Sequence, residues 1–299
     1  MTQRRVMAAA GRGLLALGAL VLLFLAYQLW GTGIAESRSQ DALRHQMAGR
    51  LQAGHPASAP EAPTTAGAPS STAAARPHPP TSPPSDGSPE GLVSIPAIGV
   101  DQVFVEGTGT GDLRRGPGHY PGTPLPGQPG NAAIAGHRTT YGAPFDKLDK
   151  LRRGDTIMIT ALWGSSQYEV RNSFVVNPSD LSVIAPTPSN QLTLTTCTPR
   201  FSASRRLIVQ ASLVGSPAPA GLTSQRAQPA SSSSPSASTG AWLTLGTWAL
   251  AVAAVIGVAS LLAGRMRRRW PVYVLLAPAL LATLAMFFAA ASAMLPDMV

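Results

Sequence analysis

The sequence predicts a small, mainly β domain, a closed barrel or a sandwich, held beside a membrane by apolar helices at the two ends of the chain. Three observations carry this. Seven short runs rich in Val, Ile, Thr, Leu and aromatics lie between residues 93 and 214, bounded by Gly, Pro, Asn and Asp. Three stretches are long and apolar enough to cross a bilayer. Two tracts of Pro, Ser, Ala and Thr separate these parts. The 299 residues would allow two domains, but charged residues make up only 12% and hydrophobic ones 44%, while Gly numbers 29 and Pro 28. Membrane segments and tethers therefore take much of the length, leaving one folded unit.

In chain order, residues 1–12 are a basic tail with Arg4, Arg5 and Arg12. Residues 13–35 (GLLALGALVLLFLAYQLWGTGIA) carry no ionisable group but Tyr27 and read as an uncleaved anchor. A cleaved signal peptide is the alternative, although its apolar core is usually about 7–15 residues. Residues 36–90, with almost no large apolar side chain after Leu51, read as an extended, disordered stalk. Random-coil scaling of about 5–6 Å × √n gives such a stalk a reach of roughly 40 Å. Residues 91–214 form the folded unit, and 215–240 a second linker. Two apolar helices follow at 241–264 and 271–295, with Trp242, Trp270 and Tyr273 near their ends and a basic loop, 265–270, between them.

The positive-inside rule puts both basic segments in the cytoplasm and the folded unit on the extracellular side of a multi-pass chain. This also accounts for the charge. The net charge is +9, and seven of the positive residues are Arg4, Arg5, Arg12, Arg265, Arg267, Arg268 and Arg269. A nucleic-acid footprint needs Lys and Arg gathered on a folded face, so no nucleic-acid partner is expected. Membrane lipid is.

Within the folded unit the runs VSIPAIGV, DQVFVEG, AAIAGH, DTIMITALW, QYEVRNSFVV, QLTLTT and RRLIVQASLV read as strands. Seven or eight short strands suit a barrel or sandwich. Tyr141–Arg153, with Phe145, Leu148 and Leu151 at helical spacing, reads as a weak helix.

The chemistry-bearing residues are few. Cys197 is the only cysteine, which excludes an intramolecular disulfide and a CxxC metal site. It ends the strand QLTLTT before a Pro-containing loop, where a strand can deliver a side chain to a cleft. A nucleophilic Cys needs cationic or imidazole neighbours; a buried inert thiol is the other reading. His137 ends the strand AAIAG, and His119 lies in a GPGHYPG turn. Arg205 and Arg206 open the last strand, where a hairpin with the Cys strand would bring one of them to the thiol to stabilise an oxyanion. His45, His55 and His78 fall in the stalk and read as solvated.

Thr193–Cys197 (TLTTC) resembles the TLxTC signature of sortases, Ala133–His137 (AIAGH) resembles the segment carrying their histidine, and Arg206-Leu-Ile-Val resembles their arginine with its strand. The GPGHYPGTPLPGQPGN stretch at 116–131 and FDKLDKLRRGD at 145–155 extend the likeness over residues 91–214. The sequence after Cys197, Thr-Pro-Arg-Phe-Ser-Ala, is most similar to class E sortases of high-GC Gram-positive bacteria. The C-terminal pair of helices departs from the usual single N-terminal anchor, although pilin-polymerising class C members also carry C-terminal membrane segments.

The resemblance implies a sortase-like eight-stranded β-barrel with short helices. It implies a transpeptidase that cleaves an LAxTG or LPxTG sorting signal between Thr and Gly, holds the product as a thioester, and passes it to an amine. Mapped by residue, Cys197 is the nucleophile, His137 the general acid and base, and Arg206 the oxyanion stabiliser. Thr196, His119 and Arg205 are the candidates for contacting substrate, and Asn177–Asn190 for shaping its groove. Asp146 and Asp149 are assigned structural roles facing Lys147, Lys150 and Arg153. No cofactor and no metal is expected, since no carboxylate cluster suggests calcium. The implied partners are sorting-signal-bearing secreted proteins and an amine of the peptidoglycan precursor, lipid II in type. Two competing readings are an L,D-type cysteine transpeptidase, which would need a histidine two residues before Cys197 where Thr195 stands, and an inactive tethered binding module, whose function would survive Cys197→Ala.

Overall fold

The computed structural model describes residues 2–53, 84–218, 239–265 and 270–292. The middle of the expected stalk, most of the 215–240 linker and most of the basic loop lie outside the described residues. The chain divides into two compact units, one made of Met1–Thr32 with Ser232–Asp297 and the other of Gly33–Ser231 with the last two residues.

The first unit is helical. Helix α1 spans Thr2–Ala26 and passes through a π-helical turn at Tyr27–Gly31. Near the C-terminus, α4 (Thr239–Arg265) and α5 (Trp270–Ser292) pack on one another. Within them Trp242–Leu262 and Val274–Ser292 are long and apolar enough to cross a membrane. Their large side chains, among them Trp242, Leu250 and Leu275, face outward. An apolar exterior of this kind is stable in lipid rather than in water. Phe288 of α5 packs against Phe24 and Tyr27, at ring-centroid distances of 5.3 and 5.7 Å.

The second unit is a closed barrel of eight strands: β1 (Pro89–Ile95), β2 (Val100–Glu106), β3 (Gly118–His119), β4 (Asn131–Ala135), β5 (Thr156–Ala161), β6 (Gly164–Val176), β7 (Gln191–Thr198) and β8 (Arg205–Val214). Neighbours run β1-β2-β3-β4-β7-β8-β6-β5 and back to β1. β2 pairs with β3 and β4 with β7 in parallel, the rest antiparallel. Closure removes exposed strand edges. Alternate residues such as Ile134, Leu192, Leu194 and Val209 fill the interior. β3, two residues long, has no hydrophobic run behind it.

Two sequence expectations are corrected. Tyr141–Arg153 is not a helix. It is a series of turns holding one short 3-10 turn at Leu148–Lys150. Tyr141, Gly142 and Ala143 all have positive φ, which a right-handed helix forbids, and Pro144 follows. The helical spacing of Phe145, Leu148 and Leu151 reflects three side chains buried in the core.

The stalk expected from residue 36 begins instead as a helix: Thr32–Ala53 is α2. No Pro interrupts it, and good helix formers fill it. Leu43 and Met47, one turn apart, are buried with Val103 and Val105 of β2. β3 pairs with β2 only at Val105 and Glu106, so the flank of β2 at Val103 lacks a neighbouring strand. The carboxamide of Gln40 takes that place. The Val103 N–H donates to Gln40 Oε1 (2.8 Å), and Gln40 Nε2 donates to Val103 O (2.9 Å) and Arg115 O (2.8 Å). A side chain at Gly116 would collide with that Nε2. Arg50 reaches Pro89 O at 2.9 Å, so α2 closes the seam of the barrel.

Beside this seam Glu90 is buried, accepts a 2.7 Å hydrogen bond from Ser88 Oγ and lies 3.9 Å from Arg50. Burial outweighs these partners and raises its pKa from 4.5 to about 7; Glu36 is raised likewise, by burial, to about 7. Between those values the native protein holds protons that the unfolded chain has released, so stability falls as pH rises from 4.5 to 7. Thermal unfolding of the full chain in detergent at pH 5 and pH 8 checks this. Glu90→Gln should stabilise at pH 8 by an amount on the order of 3 kcal/mol and change little near pH 4.5.

Candidate active site

Three neighbouring strands bring together the residues singled out from the sequence. β4 and β7 run parallel with Ala135 opposite Thr195. The ladder continues one step further: Gly136 N–H donates to Thr195 O (3.1 Å) and Thr196 Oγ1 donates to Gly136 O (2.7 Å). His137 and Cys197 are each two residues beyond a paired position, on adjacent strand ends. β8 returns antiparallel with Arg206 directly opposite Cys197. Alternation sets the face. Leu192 and Leu194 point into the core, whereas Thr193 Oγ1 donates to Asn131 (2.8 Å) and Thr195 Oγ1 meets Tyr120 Oη (3.2 Å) on the outer side. Cys197 follows Thr193 and Thr195 on that side.

Cys197 is 3% exposed. Arg206 Nη1 lies 3.3 Å from its Sγ, and Arg138 Nη1 donates to its carbonyl oxygen at 3.1 Å. Burial pushes the thiol pKa up, while the charges of Arg206 and Arg138 and the Arg206 hydrogen bond pull it down; the net shift is upward. Burial thus favours the neutral group, and the cationic donors are already in place beside it. Arg206 Nη1 also donates to Ala203 O (3.3 Å) within the β7–β8 loop, which fixes its direction. His137 is buried, and its ring lies 5.2 Å from that of Tyr141. The next turn is tied back by Phe145 N–H donating to His137 O (3.1 Å).

The remaining candidates go elsewhere. Arg205 is exposed and faces Thr198 across the ladder. The Thr196 hydroxyl is fully buried and spent on Gly136, so it joins β7 to β4. His119 is not on a groove wall. It is 1% exposed, with Nδ1 2.7 Å from Glu106 Oε2 and Nε2 3.0 Å from both Pro124 O and Thr123 Oγ1. Burial opposes its charged form, yet the hydrogen bond and charge of Glu106 raise its pKa on balance. The pair pins β3 to β2. Asp146 and Asp149 pair with Arg200 (2.8 Å) and Arg138 (3.4 Å), where the sequence had them facing Lys147, Lys150 and Arg153. Among the described residues no group of three or more His, Cys, Asp or Glu side chains is placed to hold a metal.

The 177–190 connection lies over the outer face of β4. Asn131 Nδ2 donates to Val183 O (3.0 Å) and Ala185 O (3.1 Å), and Ile184 packs on Leu113, Tyr120, Ala133 and Ala135. With the β3–β4 loop it walls an open cavity of about 410 Å³ lined by Pro124, Pro129, Pro186 and Pro188. Sequence reasoning missed Arg138 and Tyr120. Arg138 adjoins the candidate histidine, but nothing in one sequence aims its side chain at the Cys strand. Tyr120 stands beside the His119 already singled out.

The protein-family model for the Sortase domain matches residues 93–214. Sortase SrtE1 of Streptomyces coelicolor is 32% identical over 222 residues, covering 69% of this chain and 56% of that protein. Sortase D of Bacillus subtilis is 33% identical over 117 residues, 39% of this chain and 58% of that protein. The chain spans about half the length of the curated relatives it matches. Among solved structures, sortase E from Streptomyces avermitilis is 40% identical, covering 44% of this chain and 91% of that one, with a TM-score of 0.40.

The Arg206 contact opposes the burial that raises the thiol's pKa, and its effect can be tested without substrate. Arg206→Gln should slow alkylation of Cys197 by iodoacetamide at pH 8 about tenfold, as expected for losing a hydrogen bond to a charged group. Arg205→Gln should leave the rate unchanged, and equal slowing by both would refute the assignment.

Proposed function

The chain belongs to the sortase family, and on that footing we propose that it is a membrane-anchored transpeptidase of class E type acting on the extracellular side. It cleaves an LAxTG or LPxTG sorting signal between Thr and Gly and transfers the protein to a cell-wall or pilin amine. The observation that carries this is the Arg206 guanidinium 3.3 Å from the Cys197 thiol, with His137 on the adjoining strand end.

In the proposed reaction Cys197 Sγ attacks the threonyl carbonyl carbon and its proton passes to His137. The tetrahedral oxyanion is held by Arg206, whose planar guanidinium presents its donors in a fixed fork. His137 gives the proton to the departing glycyl nitrogen, the C–N bond breaks, and a thioester forms. An incoming amine then attacks the thioester and loses a proton to His137. Collapse breaks the C–S bond, leaves the new peptide bond in the product and frees Cys197, which regains its proton from the imidazolium. A raised thiol pKa suits this order, because proton transfer to His137 accompanies attack.

The membrane arrangement is part of the proposal. The basic N-terminus and the basic stretch between α4 and α5 lie in the cytoplasm, and residues 13–35, α4 and α5 cross the bilayer. The barrel then works among sorting-signal-bearing secreted proteins and lipid-linked wall precursors. The full chain in detergent should cleave a fluorogenic LAxTG or LPxTG peptide. Cys197→Ala and His137→Ala should reduce kcat/KM by at least about a thousandfold, and Arg206→Ala by about a hundredfold or more. Undiminished cleavage by Cys197→Ala would overturn the reading.

A further inference from the structure

The turn after His137 is built at a conformational cost. Tyr141, Gly142 and Ala143 have φ of 49°, 71° and 45°. Left-handed backbone at two residues other than glycine persists only where the surroundings impose it, and such runs cluster at functional sites. The surroundings are specific. Ala143 N–H donates to Thr140 O at 2.9 Å. The Glu36 carboxylate of α2 fills the space over the Gly142 α-carbon, so that any side chain there would collide with it. Arg114, which caps the short helix α3 (Thr110–Leu113), sets its guanidinium carbon 5.5 Å from the centre of the Tyr141 ring. The Tyr141 ring in turn lies 5.2 Å from the His137 imidazole, tilted by 37°. The turn thus spends backbone strain to present one aromatic ring to the imidazole.

The two aspartates nearest His137 in sequence are held by arginines, and the Tyr141 ring lies against the imidazole. We propose that Tyr141 is a positioning residue for the transpeptidation proposed above: its ring, steadied by Arg114 and by the α2-braced turn, holds the His137 imidazole toward Cys197. This rests on the reading of His137 as the acid and base. An aromatic face also favours the imidazolium that forms each time His137 carries the proton, since the ring quadrupole attracts a cation. The effect is assigned to the ring, so phenylalanine should serve as well as tyrosine.

The test uses the full chain in detergent with isotope-labelled histidine, the His137 resonance being identified by its loss in His137→Gln. Tyr141→Leu should lower kcat about fivefold to tenfold at nearly unchanged KM, as expected for losing a stacked aromatic pair. It should also move the His137 ring-proton resonance out of its ring-current-shifted position. Tyr141→Phe should keep both properties. Arg114→Gln, which leaves the turn's own sequence intact, should lower kcat in the same direction by a smaller factor and is the variant to read if Tyr141→Leu does not fold. The proposal is overturned if Tyr141→Leu leaves the resonance in place, if Tyr141→Phe loses as much kcat as Tyr141→Leu, or if the loss falls on KM alone. Should the unmodified chain cleave no peptide, the transpeptidase reading fails instead, and the His137 resonance still decides the ring contact.

Discussion

The ladder that joins β4 to β7 in parallel and β7 to β8 in antiparallel sets Ala135 opposite Thr195 and Cys197 opposite Arg206. Because side chains alternate across a strand, a slip of one residue in the β4–β7 pairing would move Cys197 to the other face, and a slip in the β7–β8 pairing would put Arg205 or Leu207 opposite it in place of Arg206. The register is held by polar side chains rather than by the hydrophobic face alone. Thr196 is tied to Gly136, Thr193 to Asn131, and Asn131 to the backbone of the 177–190 connection. Each is buried, so breaking one would leave an unsatisfied polar group in a dry place. His137, Cys197 and Arg206, brought from positions 60 and 9 residues apart, share a site because these bonds allow one pairing.

Electrostatics follow from that placement. The thiol is buried, which by itself favours the neutral form, and two guanidiniums are directed at it or at its carbonyl. The same two arginines connect outward, Arg138 to Asp149 and Arg206 to the β7–β8 loop. Arg200 and Asp146 join that loop to the turn after His137. Along the flank of β2, α2 fills the edge that the short β3 leaves open, and its first turns reach the turn after His137 through Glu36. The helix that continues from the apolar N-terminal segment is therefore part of the barrel's architecture.

Much of this was legible in the sequence because its signals are local. Period-two apolar runs marked seven of the eight strands, and two of the long apolar runs became α4 and α5. The strand ends carrying Cys197 and His137 were readable from residue type and position, while the choice of Arg206 over Arg205 came from the resemblance to sortases. What was not legible depends on contacts distant in sequence. β3 has two residues and exists because β2 and β4 flank it. α2 lacks the Pro of the tether after it, but few large apolar residues mark it as folded, and what anchors it, Leu43, Met47 and the Gln40 carboxamide meeting β2, depends on residues distant in sequence. Phe145, Leu148 and Leu151 imitate a helix because three core-facing residues in turns can fall at the same spacing. His119 looked like a groove residue because the Glu106 that buries it lies on another strand.

Whether strand register makes Cys197 the acyl-accepting nucleophile is decided by intact-mass analysis of the full chain after brief incubation with a sorting-signal peptide. A single adduct of the mass of the fragment ending in threonine, mapped to Cys197, released by hydroxylamine and absent from Cys197→Ala, is the expected result. Cleavage with no thioester adduct under rapid quench, or an adduct that survives Cys197→Ala, would contradict it.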